Sequence, residues 1–252
     1  MLNKLFNFKI ISRCLITTKK LNYGTVTNRE SRRFYKEVTF NESSSDANSM
    51  KYEINLDKRK LKTPNGNLVQ TNSEMLAALI AHEWQAQDKY IRLGQMHLTT
   101  LLYTFIDNPA KLTKESIISQ IKTYIKTDTI LFRENEIVDL MRVQNEKWTP
   151  YVDWINERFP ELKLTVKYDL SVDDDSNDAS EGSTTYNDSL ERYLNSFDLQ
   201  SLIAVNYIIE NLKSVILGLA LINRRIPDVD MACDLALLET QFQTNKWGEV
   251  EW

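Results

Sequence analysis

The chain has 252 residues and a formal net charge of −4, with 31 Lys and Arg against 35 Asp and Glu. Residues 1–30 hold six of the basic residues and one acidic residue, Glu30, so the remainder carries about −9, a balance that disfavours the phosphate backbone of nucleic acid and suits a basic partner or plain solubility. No run reaches the roughly 20 apolar residues of a membrane span, because Asn206, Glu210, Asn211 and Lys213 interrupt the nearest one, and two cysteines, Cys14 and Cys233, exclude a disulfide-dense scaffold and a cysteine-based metal centre.

The first thirty residues read as a transit peptide. Wound as a helix, they place Phe8, Ile11 and Leu15 on one side and Lys9, Arg13 and Lys20 on the other, the basic amphipathic surface of a mitochondrial presequence. A secretory signal fits worse, because Lys9, Ser12 and Arg13 break its apolar core. The expected mature protein starts between Tyr23 and Ser31 and works in the mitochondrial matrix.

Strands come next. Residues 34–40 and 52–56 are rich in aromatic and β-branched types and are separated by a polar loop at 41–49. Residues 58–63 and 67–71 flank Pro64-Asn65-Gly66, where Asn-Gly tolerates the positive φ of a hairpin turn. A helix then follows from a capping box of Thr71 and Glu74 to about Gln87. Its apolar face, Met75, Leu76, Leu79 and Ile80, continues through Glu83 and Gln87, so both polar groups point inward and Glu83 requires a cation or backbone donors.

Further helices are expected at 97–106, closed by Asp107-Asn108-Pro109, and at 113–126, where Ile117, Ile118, Ile121 and Ile125 form a stripe. A third covers 134–159, with Ile137, Met141, Gln144, Trp148, Val152 and Ile155 on one face and a division at Thr149-Pro150. Residues 162–166 alternate as a strand does. Residues 169–188, with seven Asp and Glu and almost nothing apolar, read as a mobile acidic loop. A helical hairpin ends the chain: 199–222, apolar on nearly every side, then a turn at Arg224-Arg225-Ile226-Pro227, then 228–246 burying Met231, Leu235, Leu238 and Phe242. Glu239 lies at the edge of that last face, beside Ala232 and Ala236, where a carboxylate can meet another protein.

The expected fold is therefore α+β: a transit peptide at 1–30, an N-terminal β-rich domain with a helix at 31–95, and a C-terminal α-helical orthogonal bundle at 96–252. Catalytic constellations are scarce. His82 and His97 are the only histidines, and phosphate-loop, dinucleotide, nucleophile-elbow and zincin motifs are all missing. No cofactor, metal or catalytic residue is expected. A carboxylate-based enzyme would need a deep cleft converging Glu83, Arg133 and Gln144.

Read in order, Arg33-Phe34-Tyr35-Lys36, the segment from Leu56-Asp57-Lys58-Arg59 to Thr63-Pro64, Glu83-Trp84 with Gln87, Thr127-Asp128-Thr129 with Arg133, Gln144 with Trp148 and Trp154, Gly218-Leu219-Ala220-Leu221 and Trp247-Gly248 resemble the mitochondrial ATP synthase assembly factor family that chaperones the alpha subunit of the F-one head. The resemblance spans the mature chain. It implies a matrix chaperone, monomeric when free, that covers the unassembled alpha subunit until the beta subunit replaces it, without hydrolysing ATP. The family's functional acidic residue falls on Glu239; Phe242, Trp247 and Trp84 are the aromatic anchors expected beside it, with Glu83, Gln87, Arg133 and Gln144 as structural polar groups. The chain departs from the family at Lys58-Arg59-Lys60, where Gly-Arg-Pro is common, at Met96-His97, where Met-Pro is common, and in the length of the acidic segment. A non-catalytic assembly or structural subunit of another matrix complex shares the same leader and acidity.

Overall fold

A computed structural model describes residues 31–43, 50–168 and 188–248. The expected leader, most of the 41–49 loop and nearly all of the acidic loop lie outside the described residues. The chain divides into a sheet unit that ends at Leu112 and a helical unit that begins at Thr113.

The sheet unit comprises β1 (Ser31–Arg32), β2 (Val38–Ser43), β3 (Lys51–Leu56), β4 (Arg59–Lys60), β5 (Gln70–Thr71), α1 (Glu74–Gln85), β6 (Tyr90–Ile91) and α2 (His97–Asp107). All pairings are antiparallel. β3 is central, with β2 along its whole length from Val38↔Leu56 to Ser43↔Lys51, and with β4 and β5 sharing its other edge; β1 pairs with β6. Asn41 to Ser43, expected in a loop, continue β2 because β3 supplies their partners.

Two turns fix this register. Asp57 takes φ 54° between β3 and β4, and its Oδ1 accepts the N–H groups of Lys36 and Glu37 at 3.0 and 2.9 Å, aligning the entry to β2. Gly66, at φ 87°, turns the chain between Thr63 and Asn67, a conformation that costs glycine nothing. α1 starts two residues later than its sequence suggests. Thr71 is spent in the β3–β5 pairing, and Ser73 is the cap, its hydroxyl accepting from Leu76 N at 3.3 Å. The buried face is Ala77, Ile80, Ala81, Glu83 and Trp84, whereas Met75, expected inside, is 70% exposed because that side of the first turn has no sheet above it. Tyr35, Ile54, Leu56, Leu61, Val69 and Met96 complete the core.

α2 belongs to this unit rather than to the helical part in which the expected boundary at 95/96 placed it. Glu83 holds its N-terminus, as described below, and Asp107 in its last turn accepts from the Thr63 hydroxyl at 2.6 Å and the Asn67 amide at 2.8 Å. Both ends are thus bound to the sheet unit's own elements.

The helical unit contains α3 (Lys114–Tyr124), two 3-10 turns (Ile125–Thr127 and Thr129–Leu131), α4 (Val138–Arg158), α5 (Asp188–Asn195), α6 (Leu199–Leu212), α7 (Val215–Ile222), α8 (Val229–Ala236) and α9 (Leu238–Trp247). Thr113 and Ser116 form a reciprocal capping box on α3, whose Ile117, Ile118 and Ile121 are buried. α4 runs unbroken for 21 residues through Pro150. The expected division fails because Pro150 and Glu146 face outward, so the Glu146 carbonyl freed by the missing N–H is solvated, while Trp148, Tyr151 and Val152 hold both sides of the turn in the core.

Two expected helices are each split. Lys213, at φ 52°, and Ser214, whose hydroxyl caps Leu217 N at 3.0 Å, separate α6 from α7. The buried Asp128 carboxylate accepts the Ile216 N–H at 2.9 Å and the Ile130 N–H at 3.2 Å, anchoring the new helix start. Leu237 separates α8 from α9, its N–H returning to Cys233 O at 2.9 Å. Residues 162–166 form no strand. They are irregular chain, with Lys163 at φ 45°, tied to α4 by the Asn156 amide, which exchanges two 2.8 Å hydrogen bonds with Leu164.

Candidate partner-binding site

α4 carries Gln144 and Trp148 four residues apart, which places them on one helix face. Both are 1% exposed. Trp148 donates its indole N–H to Leu235 O at 2.9 Å, and Gln144 donates its Nε2–H to Glu239 Oε1 at 2.7 Å. Leu235 and Glu239 are also four residues apart, on either side of the α8–α9 break, so α4 engages the C-terminal helices at two successive turns.

Arg133 lies behind this face. Its guanidinium stacks over the Trp148 ring at 5.2 Å, donates through Nε to Asn145 Oδ1 at 3.1 Å and through Nη1 to the Ile130 carbonyl, and its buried Nη2 has no acceptor among the described residues. Burial pulls its pKa down, opposed by the charges of Tyr168 and Glu239. Its backbone N–H bonds to Lys167 O at 2.8 Å, fixing the chain that follows α4.

Glu239 sits in the first turn of α9, half buried. Beyond Gln144, no hydrogen bond or ion pair reaches its carboxylate among the described residues. Phe242 is half buried on the same helix, and Trp247 is 62% exposed at its end; Lys246 Nζ lies 5.8 and 5.3 Å from the two ring centres. α9 therefore presents an acid, a half-covered ring and an open ring.

The sheet-unit candidates are structural in placement. Trp84, expected as an anchor, is 5% exposed and packs 5.7 Å from the Tyr35 ring, because its position on α1 faces the sheet; it offers no contact surface. Glu83 is 3% exposed, and its carboxylate accepts from Leu98 N at 2.9 Å, Thr99 N at 2.8 Å and the Thr99 hydroxyl at 2.7 Å. Gln87 bridges Glu83 O and Arg92 N. A groove of about 540 Å³ between α3 and α5 is lined by Glu115, Lys122, Lys126 and Glu191 among others, and includes none of Glu83, Arg133 and Gln144.

Residues 32–156 match the family model described as ATP12 chaperone protein. The mitochondrial protein atp12 of Schizosaccharomyces pombe is 31% identical over 206 residues, a match covering 79% of this chain and 69% of the relative. The chain belongs to the ATP12 chaperone family. The mitochondrial protein ATP12 of Saccharomyces cerevisiae is 29% identical over 266 residues, covering 91% of this chain and 81% of that protein. The crystal structure of Atp12 from Paracoccus denitrificans superposes with a TM-score of 0.71 at 27% identity, covering 87% of this chain and 88% of that one. The family is one of chaperones rather than of enzymes, and the α+β arrangement is that of the ATP12 fold.

Within this ATP12 chain, sequence reasoning missed Asp128 as the buried cap of α7 and Asn145 as the acceptor for Arg133. Asp128 carried a signal, being an acid two residues before the apolar Ile130 and Leu131; Asn145 carried none. Arg33 was also missed as a clamp. Its guanidinium donates to the carbonyls of Tyr35, Lys36, Gln85 and Gln87, gathering the chain before β2 and the end of α1.

Proposed function

We propose that the protein is a mitochondrial matrix chaperone that binds the unassembled alpha subunit of the ATP synthase F-one head, prevents its aggregation and releases it to the beta subunit. Membership of the ATP12 family, the mitochondrial names of its relatives and the basic leader, without an acid before Glu30, support this reading. The observation that carries it is Glu239: a half-buried carboxylate on α9 with one oxygen occupied and no contact ion pair among the described residues, flanked by Phe242 and an exposed Trp247.

The activity is a binding problem. A free alpha subunit exposes apolar area meant for the beta subunit, and a specific cover buries on the order of 1,200–2,000 Å², with its energy in a few aromatic or charged anchors. The cover must bind more weakly than the final interface, so that exchange runs forward. The free chaperone acts as a monomer.

Co-expression of the mature chain with the alpha subunit alone tests the proposal. The expected result is soluble alpha subunit that co-purifies in stoichiometric amount and is displaced by the beta subunit. Insoluble alpha subunit with no association overturns it and leaves an assembly protein of a different complex.

A further inference from the structure

Gln144 is 1% exposed in the middle of α4. A buried amide left unsatisfied costs roughly 1–3 kcal/mol, so its surroundings dictate its orientation. The backbone N–H of Glu134 can only donate, and it meets Gln144 Oε1 at 2.8 Å. The other end of the amide must therefore be the nitrogen, and it faces Glu239 Oε1 at 2.7 Å, an ionised carboxylate that can only accept. Flipping the amide sets donor against donor at one end and oxygen against oxygen at the other.

Both sides of this bridge are fixed. Glu134 is held in a turn in which its own carboxylate accepts from Asn135 N at 3.0 Å and Glu136 N at 2.9 Å. The C-terminal helices are held one turn further along α4 by the 2.9 Å bond from Trp148 to Leu235 O. The bond to Glu239 thus removes rotamer freedom from a side chain that is otherwise at liberty on the first turn of α9, while its second oxygen has no donor among the described residues.

We propose that Gln144 is the positioning residue for Glu239: it clamps one carboxylate oxygen so that the other is presented, at low entropic cost, to a hydrogen-bond donor of the client. This rests on the alpha-subunit reading above and adds to it the residue that orients the contact. Gln144 itself is too buried to touch the client.

A double-mutant cycle on the co-expressed complex tests it, reading the rate at which the alpha subunit is shed and, in parallel, the urea midpoint of each free variant. Gln144→Met keeps the side-chain length and removes both hydrogen bonds. In the wild-type background it is expected to speed shedding roughly ten-fold or more; in a Glu239→Ala background, where nothing remains to be positioned, it is expected to add nothing. Equal effects in both backgrounds, or no effect in either, overturn the proposal and leave Gln144 a core residue. Gln144→Glu retains the acceptor for Glu134 N–H and sets a second carboxyl against Glu239 in place of the donor, so that Glu239 is pushed off its position; it should show the same dependence on Glu239 and serves if the methionine variant does not fold. No capture by the wild type overturns the alpha-subunit reading and this proposal together, whereas capture with equal losses overturns this proposal alone.

Discussion

The Glu83 carboxylate accepts from both the backbone N–H and the hydroxyl of Thr99, at 2.8 and 2.7 Å, and from Leu98 N at 2.9 Å. These are orphan N–H groups of the first turn of α2, and a buried acid there both satisfies them and complements the helix dipole. Glu83→Ala strands these donors in a site that is 3% exposed, and it should destabilise the protein by about 3 kcal/mol. Urea unfolding checks this; a loss below about 1 kcal/mol means that water replaces the carboxylate and that Glu83 does not bind α2 to α1.

Gly218 on α7 packs directly against Ile209 on α6. A Cβ there would stand 2.8 Å from Ile209 Cγ1 and 3.5 Å from Ile209 Cα. Alanine gains about 1 kcal/mol of helix propensity over glycine, but overpacking against a β-branched side chain costs about 1–3 kcal/mol. Gly218→Ala is therefore expected to lower stability by about 1 kcal/mol, against its propensity. A raised thermal midpoint would show that α6 and α7 separate freely.

Acid should loosen the sheet unit. The backbone N–H groups of Glu37 and Lys36 hold the Asp57 carboxyl below its ordinary range, and Lys60 does the same for Glu53. At Asp107 burial pushes upward, but the Thr63 hydroxyl and the Asn67 amide outweigh it and the net shift is downward. A carboxyl whose folded pKa is depressed stabilises the fold fully above its unfolded pKa, about 4, and loses that contribution as pH falls through the folded value. Protection of the β3 amides, taken relative to their intrinsic exchange at each pH, should fall from about pH 4 downward. Asp57→Asn, which tolerates the same positive φ and keeps the acceptor, should flatten that dependence; an unchanged profile removes Asp57 from the account.

How much of this was legible depended on distance along the chain. The isoleucine stripe of α3 and the turn at Asn65-Gly66 are local patterns, and the structure has them where the sequence places them. The breaks at Lys213 and Leu237 lie inside apolar runs whose periodicity continues on both sides. What selects the first is Asp128, 88 residues away from Ile216, and no window on the sequence contains both. Gln144 and Glu239 were each visible as a polar residue on or beside an apolar face. That they form one bond across 95 residues was not. Trp84 misled for a simpler reason: composition ranks any tryptophan as an anchor, and only packing distinguishes one turned into a sheet from one left outside.

The two tryptophans should accordingly separate in experiment. Trp84→Ala empties part of the sheet-unit core and should cost about 3–5 kcal/mol, whatever happens to client binding. Trp247→Ala removes a ring that is 62% exposed, so stability should stay within about 0.5 kcal/mol of wild type while capture of the alpha subunit falls. Unchanged capture would remove the end of α9 from the proposed interface.

Glu239→Lys is the sharpest test of the site as a whole. The position is half buried, so a lysine can lay its stem along α9 and carry its ammonium to water, and the internal losses are the acceptor for Gln144, about 1–3 kcal/mol, and the attraction between the Glu239 carboxylate and Arg133. The fold should survive that. The contact should not, because the reversed charge meets whatever donor the carboxylate was held out to receive, with Arg133 adding a second cation behind it. Co-expressed alpha subunit is therefore expected in the insoluble fraction while the variant itself stays soluble and melts cooperatively. A variant that melts far below wild type makes Glu239 a structural residue, and the loss of capture then says nothing about an interface.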